Sequence, residues 1–237
     1  MFKSIFELSS KILFGLLYAS LILSACSKDQ FNNNINQAYI SVVNASPENN
    51  KILFFVNDTS KTSNGLIYGE KTAYVNTSAG IHQVVTKILT TEVNNARVNL
   101  FFEPKKYYSI FIGGKISKDS MVYIATEDNL TAPKTNKAKV RFINTSVDSP
   151  TLDAIFSTKA TDSLANISNL IYRSCTAYSE YAPGTYLLKI RNQSKKTTLL
   201  TTNNLTIANG KIYTIWVKGL GNGQGNYIFS VGLLNDN

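Results

Sequence analysis

The chain has one histidine, one tryptophan and two cysteines in 237 residues, and its main apolar run is too short to span a bilayer. Each scarcity narrows the possible functions. A Ser-His-Asp triad would have to use His82, whose neighbours Ile81, Gln83 and Val84 carry no nucleophile motif. A zinc site lacks ligands, since one histidine and one free cysteine do not complete it. His82 is expected instead to be a packed, inward-facing residue. No enzyme activity, cofactor or metal is expected.

The apolar run is Ile12 to Ala25, 14 residues preceded by Lys3 and Lys11. A bilayer-spanning helix needs about 20. A charged start, a short apolar run and small residues at its end read as a secretory signal peptide over residues 1–25. The sequence Leu23-Ser24-Ala25-Cys26 resembles the lipobox of bacterial lipoproteins. That resemblance implies a diacylglyceryl thioether on Cys26, cleavage before it, and acylation of the new amine with a palmitate-type chain. A thiolate is the best available nucleophile for the lipid donor, and two or three acyl chains make a stable anchor. The expected location is the bacterial outer membrane, with Ser27 leaving the leaflet open. Residues 26–37, polar and Asn-rich after the lipidated cysteine, read as a flexible tether.

Removing residues 1–25 takes away two lysines and one glutamate, which leaves 22 basic and 14 acidic residues, net +8. The lysines are scattered, with short doublets at Lys105-Lys106 and Lys195-Lys196. No aromatic-flanked basic motif appears, so a nucleic-acid partner is not expected. With Cys26 acylated, Cys175 has no partner for a disulfide, and stability must come from packed cores.

What the sequence has in abundance is repetition. AYISVVNASP from Ala38 aligns with AKVRFINTSV from Ala138, and LIYGEKTAYVNTSAG from Leu66 with LIYRSCTAYSEYAPG from Leu170. KYYSIFIGG from Lys106 aligns with KIYTIWVKG from Lys211, so the offset drifts from 100 to 105. Three ordered matches define two copies of one unit. Each copy alternates apolar and polar residues in short runs separated by Gly-, Asn- and Pro-bearing turns. The expected class is all-β, with two tandem immunoglobulin-like sandwiches of about seven strands each. They would cover residues 38–125 and 138–237, joined by a linker over 126–137 that few contacts cross. Tyr108 and Tyr213, each just inside a late strand, are placed for tyrosine corners.

VRFINTSVDSPTLDAIF, LIYRSCTAYSEYAPGTYLLKI and LTIANGKIYTIWVKG together resemble domain-of-unknown-function family 4397. The second copy fits over nearly its whole length; the first departs, with Leu53 where the second has Asp153. The resemblance implies a pair of β-sandwiches in a bacterial envelope protein and brings no activity or site residues.

The carboxylates Asp153, Glu180, Glu103 and Glu127-Asp128 are unmatched between copies and read mostly as solvated turn charges. Glu127-Asp128 lacks the alternating Asp and Asn residues of a calcium loop. Asp119-Ser120-Met121 and Asp162-Ser163-Leu164 resemble short bacterial O-glycosylation triplets. Cys175 replaces Lys71 of the first copy and reads as a half-buried, inert thiol. In KIYTIWVKG, Tyr213, Ile215 and Val217 share one face and Thr214, Trp216 and Lys218 the other. If the first face is the core, Trp216 and Lys218 form a candidate ligand contact, a ring for a sugar beside a cation; the competing reading packs Trp216 under a loop or against the other copy.

The expectation is therefore a non-catalytic, membrane-anchored binding or adhesion module, with glycans as candidate ligands. The alternative is a spacer or accessory subunit bound to an envelope protein partner. Mass spectrometry of the mature amino terminus checks the anchor: Cys26 should carry acyl chains, and Cys26→Ser should accumulate as unprocessed precursor.

Overall fold

A computed structural model describes residues 36–90, 94–115, 120–158 and 165–237. The leader, Cys26, the tether up to Ile35, Asp119 and the triplet at 162–164 lie outside the described residues. Residues Ile35–Asn237 form one compact unit.

The first copy holds β1 (Gln37–Asn44), β2 (Ile52–Val56), β3 (Thr59–Ser60), β4 (Val75–Ser78), β5 (Gly80–Ile88), β6 (Asn94–Phe102), β7 (Tyr107–Gly113) and β8 (Val122–Glu127). The second holds β9 (Ala138–Asn144), β10 (Leu152–Ser157), β11 (Ala165–Leu170), β12 (Ser179–Tyr181), β13 (Gly184–Asn192), β14 (Thr198–Ile207), β15 (Ile212–Lys218) and β16 (Ser230–Asn235). Sheet orders are β4-β1-β7-β8 and β3-β2-β5-β6, then β12-β9-β15-β16 and β11-β10-β13-β14. The same topology thus occurs twice, including the parallel pairs β1–β7 and β9–β15. Among the described residues each copy has eight strands where about seven were expected. The two-residue β3 and three-residue β12 are too short to leave an alternation in sequence.

The alternating residues do what their spacing predicts. Ile40 and Val42 of β1, Phe54 of β2, Val84 of β5 and Ile110 of β7 close the core of the first sandwich. Val140 and Phe142, Phe156, Leu188 and Ile190, and Ile215 and Val217 close the second. The tyrosine corners are present: Tyr108 Oη accepts the Glu103 N–H (3.0 Å) and Tyr213 Oη the Ala208 N–H (3.2 Å), each five residues upstream.

A matched pair of buried asparagines ends the first strand of each copy. Asn44 donates to Leu66 O (2.9 Å) and accepts from Ser46 N (3.0 Å), while Asn144 donates to Leu170 O (3.2 Å) and accepts from Ser146 N (3.0 Å). The serines then donate to Gly114 O and Gly219 O, glycines whose φ of +80° and +83° favours a residue without Cβ. In these two Asn-X-Ser triplets the asparagine and serine thus serve as buried turn locks.

Two expectations are corrected here. The polar side of β15 is not a surface. Val43, Ala45, Phe111 and Ile124 of the first copy pack against Ile143 and Trp216 of the second, so the sheets containing β1 and β9 lie back to back. Trp216 is 1% exposed, its ring 6.2 Å from Phe111, and is closed to a sugar. The segment 126–137 is not a linker free of contacts either. Thr126 and Glu127 end β8, and Asp128 is buried in the seam between the copies.

The indole lies on Gly232, its cross-strand partner on β16, where a Cβ would collide with the ring. Trp216→Ala should cost about 3–5 kcal/mol in urea denaturation, and Gly232→Ala should also destabilise. Native tryptophan emission should be blue-shifted and shielded from acrylamide.

Candidate functional site

The seam is not purely apolar. Asp128, read in sequence as unmatched between the copies, has a counterpart: at the centre of the seam two equivalent carboxylates, Asp128 and Asp236, follow the last strand of each copy, and each backbone N–H bonds the strand before it (Tyr107 O, 2.7 Å; Ile212 O, 2.8 Å). Each carboxylate is held by its own copy through a tyrosine and a hydroxyl. Tyr74 (2.6 Å) and Ser109 (2.7 Å) donate to Asp128; Tyr178 (3.1 Å) and Thr214 (2.6 Å) donate to Asp236. Burial, then the neighbouring carboxylates, push the Tyr74 hydroxyl well above its ordinary value; burial leads the same upward shift at Tyr178. Both therefore stay protonated as donors at neutral pH.

The cations come from the opposite copy. Arg141 Nη2 of the second copy lies 2.5 Å from Asp128, and Lys71 Nζ of the first lies 2.9 Å from Asp236. Arg141 also donates through Nε to Thr214 Oγ1 (2.8 Å) and through Nη1 to Glu127 O (3.2 Å), with its plane 4.6 Å from the Tyr178 ring. Lys71 sits 5.6 Å from the Tyr74 ring. The path Tyr74–Asp128–Arg141–Thr214–Asp236–Lys71–Tyr74 closes on itself, two ion pairs joined by the neutral Thr214 and Tyr74. Burial works against the Arg141 charge and Asp128 restores it, leaving its pKa raised.

Two grooves flank this circuit. One of about 500 Å³ is bordered by Glu127 and Asn129 of the first copy's end and by Lys139, Arg141, Thr176 and Tyr178 of the second. The other, about 450 Å³, runs along Lys105, Tyr107, Asp128 and Thr131. Lys139 Nζ closes the segment between them, donating to Thr131 O (2.7 Å), Thr131 Oγ1 (2.6 Å) and Asn129 Oδ1 (3.3 Å).

The remaining candidates divide clearly. Asp128 and Asp153, read as solvated, are buried: Asp153 faces Arg191 and Lys196, each at 3.4 Å. Glu180 faces Lys134 and Glu127 faces Lys106. Glu103 is exposed. His82 is buried. The Asn57 amide, whose oxygen already accepts Gln83 N–H, donates to His82 Nδ1 (2.7 Å), so the proton lies on Nε2, 3.3 Å from Ser78 Oγ. Cys175 borders the larger groove, and burial raises its thiol pKa. Lys218 does not reach for a ligand beside an open ring. Its ammonium sits 4.9 Å from the buried Trp216 ring and 5.2 Å from Tyr68, and burial lowers its pKa. Among the described residues, no group of three His, Cys, Asp or Glu side chains could hold a metal ion.

The Asp–Tyr pairing was missed in sequence, although its signal was present. Thr72-Ala73-Tyr74 and Thr176-Ala177-Tyr178 are identical triplets at one offset, and both threonines accept the backbone N–H of the first strand (2.9 Å each).

A family model described as "Domain of unknown function (DUF4397)" matches residues 38–155. The chain belongs to DUF4397. The match spans the first copy and reaches β10 of the second, whereas the residues that carried the resemblance in sequence lie largely beyond it. No curated protein matches this DUF4397 chain. Among solved structures, a family 26 carbohydrate-binding module from Eubacterium rectale Amy13K, in complex with maltoheptaose, is 9% identical with a TM-score of 0.26, covering 84% of this chain and 96% of that one. A proposed adhesin from Bacteroides ovatus is 10% identical with a TM-score of 0.19, covering 84% and 92%. Likeness at these scores carries no argument about function.

The charge circuit makes a direct prediction. Asp128→Ala strands the Arg141 guanidinium and should cost about 3–5 kcal/mol in urea denaturation. Joint replacement by Asp128→Leu and Arg141→Met should recover most of that loss.

Proposed function

We propose that this DUF4397 chain is a non-catalytic binding module, held at the outer membrane by acyl chains on Cys26, that takes a glycan in the larger seam groove. The observation that carries the reading is the groove itself. It has room for a few sugar residues, and its walls offer a carboxylate, an amide, a hydroxyl and a tyrosine ring drawn from both copies. Polar groups converging beside an aromatic ring suit a neutral sugar, whose hydroxyls need both donors and acceptors. A non-catalytic role is supported by how the chemistry-bearing groups are used. Both His82 nitrogens have partners, and Asp128, Asp153, Glu127 and Glu180 each face a cation. Leu23 to Cys26 supports the anchor.

A second reading, a rigid spacer or accessory subunit for an envelope protein, is favoured by the fused inner sheets, which join the copies through a packed core.

A glycan array separates the two. Direct binding is expected, and the groove-wall substitutions Glu127→Ala and Asn129→Ala should each weaken it about fivefold, as loss of one hydrogen bond does. Melting temperatures should hardly change, because both side chains are exposed. An array without signal, together with recovery of a stoichiometric protein partner by co-purification, would favour the spacer.

A further inference from the structure

The outer sheets of the two copies share their topology, and β5–β6 and β13–β14 share their register at the end near the opening glycine, but the chemistry there differs. In the first copy, Ile81 of β5 pairs across the ladder with Phe101 of β6, and these side chains are 73% and 61% exposed. In the second, the equivalent pair is Thr185 and Thr206, whose hydroxyls meet at 3.2 Å. Both pairs sit one residue beyond the glycine that opens the strand, Gly80 or Gly184. The fold therefore does not require apolar side chains there. An adjacent isoleucine–phenylalanine pair this exposed marks a candidate contact surface.

The chain's own path indicates which one. Gln37 pairs with Ser78 at the start of β1, Ala79 N–H bonds Asn36 O (2.8 Å), and Lys105 N–H bonds Gln37 O (2.6 Å). Ser78-Ala79 leads directly into Ile81, and Phe101 leads into the turn carrying Lys105. The tether from Cys26 thus enters the sandwich at the tip that displays the apolar pair. Asn36 lies ten residue steps after Cys26, a reach of at most about 33–36 Å.

We propose that Ile81 and Phe101 form a membrane-docking tip that inserts into the lipid interface beside the anchor; this rests on the acylated Cys26 of the reading above. The pair alone is a weak binder. A short tether makes its insertion intramolecular, so a modest apolar gain suffices to orient the protein. Glu103 and Lys105 flank the tip with opposite charges, so docking depends on the apolar side chains and should be insensitive to salt.

The test supplies the anchor chemically, so that it does not depend on acylation in the cell. Mature chain (residues 26–237) carrying Cys175→Ser is coupled through Cys26 to a maleimide lipid in phosphatidylethanolamine–phosphatidylglycerol vesicles containing brominated lipid. Phe101→Trp should lose about half of its added fluorescence to the bromines, as expected for an interfacial ring, at both low and high salt. Thr206→Trp, at the equivalent place in the second copy, should lose none, and the buried Trp216 provides the unquenched background. Equal quenching at both positions, or none at Phe101→Trp, overturns the proposal. So does loss of a glycan-array signal in Ile81→Asp with Phe101→Asp in the absence of quenching, which would assign the pair to a sugar. An unmodified Cys26 in cells would defeat the anchor reading while leaving the vesicle result to stand or fall by itself.

Discussion

Burial of one sheet face against another governs this molecule. In an isolated sandwich, the faces carrying Phe111 and Trp216 would meet water. Here they meet each other, and everything polar on those faces must then be satisfied internally. The circuit through Asp128, Arg141, Asp236 and Lys71 meets that demand: each buried carboxylate gains two hydroxyl donors from its own copy and one cation from the other. Such a network contributes little net stability over an apolar seam of equal volume, but it penalises any slippage that separates a charge from its partner. The grooves belong to the same arrangement, since Arg141 and Tyr178 line one and Asp128 the other.

Much of the architecture was legible from residue spacing. Alternation in AYISVVN, KVRFIN and GTYLLKI identified the inward residues correctly, and the internal repeat anticipated a topology that occurs twice. The seam was only partly legible: packing of Trp216 against the other copy was one of two readings, and the reading that put this face in water took a strand buried on both faces for a half-exposed one. Thr214, Trp216 and Lys218 alternate with the core positions and look like a solvent face. Only the partner sheet shows that Thr214 and Trp216 are buried. The same error made Asp128 a turn charge and Thr126–Lys137 a free linker. Single residues gave little warning, but a tryptophan and a phenylalanine at equivalent positions on a supposedly polar face did signal a second packing surface.

Differences between equivalent positions are informative because the fold tolerates both residues. Asn44 and Asn144 or Tyr108 and Tyr213 are the same in both copies because their hydrogen bonds build the sandwich. Ser41 and Arg141, Lys71 and Cys175, or Ile81 and Thr185 differ, and each of these pairs lies in the seam or on a surface. The second copy's Asp153, buried under Arg191 and Lys196 where the first has Leu53, is another local solution to the same outer-sheet position.

The reciprocity of the seam also has an evolutionary consequence. Phe111 and Trp216 occupy equivalent positions and touch, as residues on a two-fold axis do. The first copy contributes one cation and one carboxylate to the seam, Lys71 and Asp128, and so does the second, with Arg141 and Asp236. Each face is therefore electrically neutral alone and complementary to a rotated image of itself. A gene duplication joining two such units in one chain starts with its new interface already matched: Lys71 faces Asp236, and in the second half the cation facing Asp128 sits at Arg141 rather than at 175, the counterpart of 71, so neither aspartate is left unpaired.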